Sequence, residues 1–183
     1  MCNSNKLTAI PCAKNAAGVK GTGYNAPAGE FETWPAFQAA TTPGDGKTVT
    51  LTGNFSFTGA GSGKGYFRSF PMLLEKGSVT YKAVGGIGSK SMEIMAKFYV
   101  LGTDAVQLEW MRDQLNIPQV CLIPDKNGVV HCLGSKDEPA YLQEGDGTTG
   151  EAATDERGTL YTIRWVTASP QVYTGTINLT PIP

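Results

Sequence analysis

Residues 90–101 constrain the fold most, because Met92, Ile94, Ala96, Phe98 and Val100 fall on every second position. A period of two belongs to a half-buried β-strand; on a helix the same side chains would be scattered around the axis. Glu93 and Lys97 share the other face with Met95 and Tyr99, so that face is only partly polar and something is expected to cover part of it. Residues 78–84 alternate in the same way through Val79, Tyr81 and Ala83, and the Gly85-Gly86 turn then leads into the longer strand. From Thr48 onward, Val49, Leu51, Phe55 and Phe57 alternate with Thr50, Thr52, Asn54 and Ser56, which predicts one strand where the sheet begins.

Between these strands, GAGSGKG at 59–65 predicts a flexible hairpin or loop tip, and Pro71 interrupts an apolar stretch at 66–74, which suggests an edge or a bend. Two long final strands are predicted at 159–168 and 172–179, separated by Ser169-Pro170, and the closing Pro-Ile-Pro cannot continue a sheet. The 23 Gly and 11 Pro exceed what a helical bundle can use, and 183 residues suit one domain with a substantial core. The predicted class is mainly β: a β-sandwich or barrel-like core with one flanking α-helix at about 103–116 and long loops. Residues 1–47, rich in Ala, Gly, Asn and Pro, are expected to be a loop-rich segment or an arm that orders against a neighbouring subunit, with short strands at 18–24 and 30–37. Residues 48–183 are expected to form a single β-rich domain.

The helix is TDAVQLEWMRDQLN. Thr103 or Asp104 can cap it, Gln107 completes a capping box with Asp104, and Pro118 stops it beyond Asn116. Its apolar stripe is expected to comprise Ala105, Leu108, Met111 and Leu115, widened by Trp110 and Val106, with Glu109, Arg112 and Asp113 in water. Strands at 119–122 and 129–133 flank Pro124-Asp125-Lys126-Asn127-Gly128, where Asn and Gly supply the positive φ angles of a hairpin. If Pro124 pairs with Val129, Cys121 lies opposite Cys132; a register shifted by one residue puts it opposite Leu133. The first arrangement makes the two thiols neighbours and is the working expectation. Residues 143–156 are expected to be a polar, acidic loop.

Little in the chain points to catalysis. Gly46-Lys47-Thr48 and Gly63-Lys64 both lack the first glycine of a phosphate-binding loop, and neither glycine pair at 59–61 or 86–88 continues to a dinucleotide fingerprint. His131, the single histidine, has no accompanying nucleophile motif. Cys2, Cys12, Cys121 and Cys132 lack the short paired spacing of a zinc site, and Glu144, Asp146, Glu151, Asp155 and Glu156 lack the spacing of a calcium loop. The expectation is no catalytic residue, no metal and no cofactor. The sequons at Asn54 and Asn178 lie inside predicted strands and matter only in a secreted chain. No run of about 18 apolar residues and no secretory h-region is present, so the expected compartment is a reducing cytoplasm. The 15 Lys and Arg against 16 Asp and Glu recruit neither nucleic acid nor an anionic membrane.

The order of segments says more than any single motif. CAKNAAGVKGTGY, then TVTLTGNFSF, LLEKGSVTYKAVGGIGSKSMEIMAKFYVLGT, the helix, PDKNGVVHCLGS and TTGEAATDERGTLYTIRW, punctuated by Gly128, Gly134, Gly150 and Gly158, together resemble small virion structural proteins of tailed bacteriophages, tail-tube-type proteins in particular. That resemblance implies a non-enzymatic subunit that self-associates into rings, expected to be hexameric, which stack into a conduit for the genome through heterologous interfaces. DNA would pass through without specific binding, other virion proteins would be partners, and the particle would be assembled in the host bacterial cytoplasm. A head-tail connector or terminator subunit is the alternative within the virion. Outside it stand a carbohydrate-binding β-sandwich using Trp34, Trp110 and Trp165 as stacking platforms, and a small enzyme.

Overall fold

A computed structural model describes residues 16–42, 44–59 and 65–180. In chain order these form β1 (Thr22–Pro27), β2 (Phe31–Thr33), β3 (Ala36–Phe37), β4 (Thr50–Thr52), β5 (Ser56–Phe57), β6 (Arg68–Pro71), β7 (Ser78–Val84), β8 (Ser91–Leu101), α1 (Ala105–Gln114), β9 (Gln119–Pro124), β10 (Val130–Leu133), β11 (Tyr141–Thr148), β12 (Gly158–Thr167) and β13 (Gln171–Tyr173). A seven-stranded sheet runs β3-β4-β13-β10-β9-β1-β6, a four-stranded sheet runs β11-β12-β8-β7, and β2 pairs with β5. Every pairing is antiparallel except that of β13 with β4. The chain is mainly β with a sandwich-like core and one helix, as its alternation predicts.

The central seven-stranded sheet is buried on both faces. On one side Phe70, Cys121, Ile123 and Leu133 meet Ile94, Ala96, Phe98, Tyr161, Ile163 and Trp165 of the four-stranded sheet. On the other, Ala26, Leu51, Val120, Leu122, Cys132 and Tyr173 meet an aromatic cluster of Phe31, Phe55, Phe57 and Phe67. Successive residues of β9 therefore enter opposite cores, which is why all six are buried and why Gln-Val-Cys-Leu-Ile-Pro reads as a nearly continuous apolar run. β8 shows the complementary pattern: Ile94, Ala96 and Phe98 point into the core as predicted.

Several sequence expectations are corrected. The strand predicted from Thr48 to Phe57 is broken at Gly53, whose φ of 94° turns the chain, so β4 and β5 belong to different sheets. The final strand shrinks to β13, after which isolated bonds hold the chain: Tyr173 donates to the Thr176 carbonyl, the Thr176 N–H donates to Asn54 Oδ1, and the Phe67 N–H donates to the Asn178 carbonyl at 3.0 Å. The first part of the predicted acidic loop is strand, because Glu144 and Asp146 lie on β11. Pro71 does mark an edge, ending β6 at the margin of the larger sheet.

The helix forms within its predicted bounds, and Gln107 Oε1 accepts the Asp104 N–H at 3.2 Å. Its buried side is different from the one expected. Trp110 and Met111 pack on the core, whereas Val106, Leu108 and Leu115 are 73%, 53% and 56% exposed. The hairpin takes the shifted register, with Leu133 opposite Cys121 and Cys132 opposite Leu122. The two thiols project into opposite cores and do not face one another, and both are free and buried. Of the expected arm, residues 1–15 lie outside the described residues. β1, from within 1–47, sits between β9 and β6 in the main sheet.

Candidate functional site

Two regions deserve weighing as sites: the cavity around His131 and the open four-stranded sheet. The cavity, of about 580 Å³, lies among residues 16–19, the turn at 75–79 and the β9–β10 hairpin. The N-terminal segment is tied over it by main-chain bonds from Lys20 N–H to the Pro124 carbonyl at 2.8 Å and from Lys126 N–H to the Gly18 carbonyl at 3.1 Å. The Asn127 side chain both accepts from Ala16 N–H and donates to the Ala16 carbonyl.

His131 lines this cavity from β10. Its Nδ1 is 2.7 Å from the Tyr81 hydroxyl on β7, and its Nε2 is 3.5 Å from Asp125 Oδ2. Asp125 is fixed in turn, since its Oδ1 accepts the Val129 N–H at 2.8 Å. Burial pulls the imidazole below its ordinary 6.5 against the opposing influence of Asp125. The Tyr81 phenol is pushed up to about 12, chiefly by desolvation, with Cys132 and Asp125 adding to it. Both ring nitrogens of His131 thus have protein partners. A general base needs a nitrogen within hydrogen-bond reach of its proton donor, and Ser78, which also lines the cavity, makes no hydrogen bond to the ring. The arrangement ties the edge of one sheet to the hairpin of the other.

The other candidate groups are dispersed. Cys121 and Cys132 are buried, their thiols donating to Gln119 Oε1 and to the Gly134 carbonyl, and burial raises both well above their ordinary range, which disfavours the thiolate that metals and electrophiles require. Within the acidic segment, Asp155 accepts the N–H groups of Glu151 and Ala152, Glu156 pairs with Lys76, and Glu144 reaches Thr162. Among the described residues no group of three or more His, Cys, Asp or Glu side chains converges to hold a metal ion. The three indoles are committed to packing: Trp34 is edge-on to Phe55 at 4.8 Å, Trp110 to Tyr161 at 4.9 Å, and Trp165 is 2% exposed.

The four-stranded sheet is the other kind of site. Its core side is fully used, while its far side carries Met95, Lys97, Tyr99, Leu160, Arg164 and Val166, with Arg164 Nε bonded to Glu93 at 2.5 Å. Nothing among the described residues pairs with the outer edges of β7 or β11, which are seven and eight residues long. Long open edges are uncommon in a monomer because they present unpaired N–H and C=O groups to any passing strand. Here the two edges carry opposite charge, Lys82 on β7 and Glu144 and Asp146 on β11. The sequence marked the half-apolar face; it gave no sign that both edges would be open. No protein-family model, curated protein or solved structure matches the chain.

Proposed function

We propose that this chain is a virion structural subunit of the tail-tube type, which closes into rings by joining β7 of one copy to β11 of the next. The observation that carries the reading is the pair of long, oppositely charged edges on one four-stranded sheet, neither paired among the described residues. Strand direction alternates across β11-β12-β8-β7, so a β7 edge meets the following copy's β11 antiparallel, and the ladder continues without a break. The patch on one side differs from the patch on the other, which is the heterologous interface that generates rings.

Charge and register agree with closure. Glu144 lies level with Thr162, Lys97 and Ser78, four residues from Lys82 on β7. Bringing Lys82 to Glu144 of the next copy requires a stagger of about four residues over four strands, or one per strand, the proportion found in closed barrels with strands tilted at about 36°. The sandwich occupies one side of the sheet, so the uncovered face would line the ring. Its Lys82, Lys97 and Arg164 against Glu93, Glu144 and Asp146 leave no cationic surface to hold phosphates.

Light scattering after size exclusion, followed by negative-stain microscopy, tests the proposal. Wild-type chain is expected as rings or tubes, Lys82→Glu as smaller species, and the combination of Lys82→Glu with Glu144→Lys and Asp146→Lys as rings again. A chain that stays monomeric at every concentration, or a Lys82→Glu variant that assembles unchanged, overturns it.

A further inference from the structure

We propose that Ile87 of one copy seats in the apolar cavity beneath α1 of a second copy, joining copies head to tail along the strand direction. This rests on the ring reading in one respect only, that copies stack. Ile87 stands at the tip of the β7–β8 hairpin and is completely exposed. The tip is a defined turn: Ser89 N–H donates to the Gly86 carbonyl at 3.1 Å, and Gly85 and Gly88 take φ angles of 99° and 82°. An aliphatic side chain held fully in water at the end of a hairpin gains by entering another apolar surface.

A receptor of suitable character lies at the opposite end of the same sheet. Phe70, Phe98, Val100, Val106, Trp110 and Tyr161 line a mainly apolar cavity of about 250 Å³, room for a branched aliphatic side chain. With a rise of about 3.3 Å per residue along β8, the cavity around Phe98 and Val100 is about 23–30 Å from the hairpin base at Ser91. The tip therefore cannot fill its own chain's cavity, whereas a copy displaced along the strands presents its tip there. Because knob and receptor are different surfaces at opposite ends, the contact repeats from copy to copy and yields a stack in place of a closed pair.

Charge favours the same occupant. Lys90, beside the tip, makes no ion pair among the described residues. On α1, Arg112 is shared between Glu109 and Asp113, which leaves one net negative charge on the helix beside the cavity. The arriving lysine meets that excess as the isoleucine enters.

Two full-length variants test the contact. Ile87→Cys combined with Val106→Cys, treated with a short bismaleimide, is expected to give a ladder of dimers, trimers and higher multiples on a denaturing gel, absent from either single variant, which controls for Cys2 and Cys12. Ile87→Ser is expected to reduce stacks to single rings without altering ring diameter or circular dichroism. Rings that stack as wild type with Ile87→Ser and give no ladder overturn this contact while leaving the ring reading in place. A ladder without closed rings supports the contact and overturns ring closure, and a chain monomeric in every assay overturns both.

Discussion

At the scale of the residue, His131 shows how much a neighbourhood decides. Its place on a strand next to Cys132 is legible in the sequence, but its partners are Tyr81, fifty positions away, and Asp125, six positions away around the turn. The remaining charges lining that cavity are Glu75 and Lys126. The folded imidazole titrates below its ordinary 6.5, so the unfolded chain binds the proton more readily than the native one. Stability is then fully present above the unfolded value, falls as pH drops through 6.5, and stops falling from this source once pH is below the lowered folded value. Urea unfolding between pH 7.5 and 5 is expected to show this slope, and His131→Gln to remove it. With one histidine in the chain, its ring-proton NMR titration is unambiguous, and a midpoint above 6.5 would contradict the assignment.

At the scale of the element, α1 separates what starts a helix from what turns it toward the core. Asp104, Gln107 and the downstream Pro118 fix its ends by local hydrogen bonding and steric exclusion, which depend on sequence alone. Its rotation depends on what it meets. Gln107, Trp110, Met111 and Gln114 form the inward face at i, i+3, i+4 and i+7. Each glutamine side chain has a partner, since Gln107 Oε1 closes the capping box by accepting the Asp104 N–H and Gln114 Oε1 accepts from Asn25 Nδ2 at 3.0 Å, while the Gln107 main-chain carbonyl accepts from the Tyr161 hydroxyl at 3.4 Å. Polar residues with specific bonds displace Leu108 and Leu115, which an apolar count would have put inside. Trp110→Ala is accordingly expected to cost about 2–4 kcal/mol in denaturant melts, shifted below the about 3–5 kcal/mol of fully buried aromatic truncations because the ring is only half-buried. Leu108→Ala should fall within about 0.5 kcal/mol of wild type. Equal effects at the two positions would place the helix face elsewhere.

At the scale of the whole molecule, three layers of described residues leave one broad surface that no other described element covers, the far side of β11-β12-β8-β7. The charge of the chain is balanced, and on this face cations and carboxylates are interleaved, with Glu93 already engaged by Arg164. Each phosphate contact that releases a counterion steepens the salt dependence of DNA binding, so a face of this kind predicts almost none. Fluorescence anisotropy of a short labelled duplex at low salt is expected to remain flat up to micromolar protein. Submicromolar, salt-sensitive binding by the isolated subunit would contradict a non-gripping conduit.

By itself the sequence determined what is set by neighbours along the chain. The alternation of β7 and β8, the caps of α1, the hairpin turn at Gly128 with its φ of 91° and the edge at Pro71 all follow from side-chain period and from backbone angles that few residues accept, whereas Asn127 does not take the positive φ expected of it and its side chain holds Ala16. Tertiary structure decided the rest. The hairpin loop alone admitted two registers, and burial of β9 between two cores selected the one that sends Cys121 and Cys132 to opposite faces. Gly53 was compatible with a strand until Leu51 and Phe57 had to enter separate sheets. The open edges of β7 and β11 arise from strand order, which depends on pairings between residues far apart in the chain and leaves no local signal in either segment.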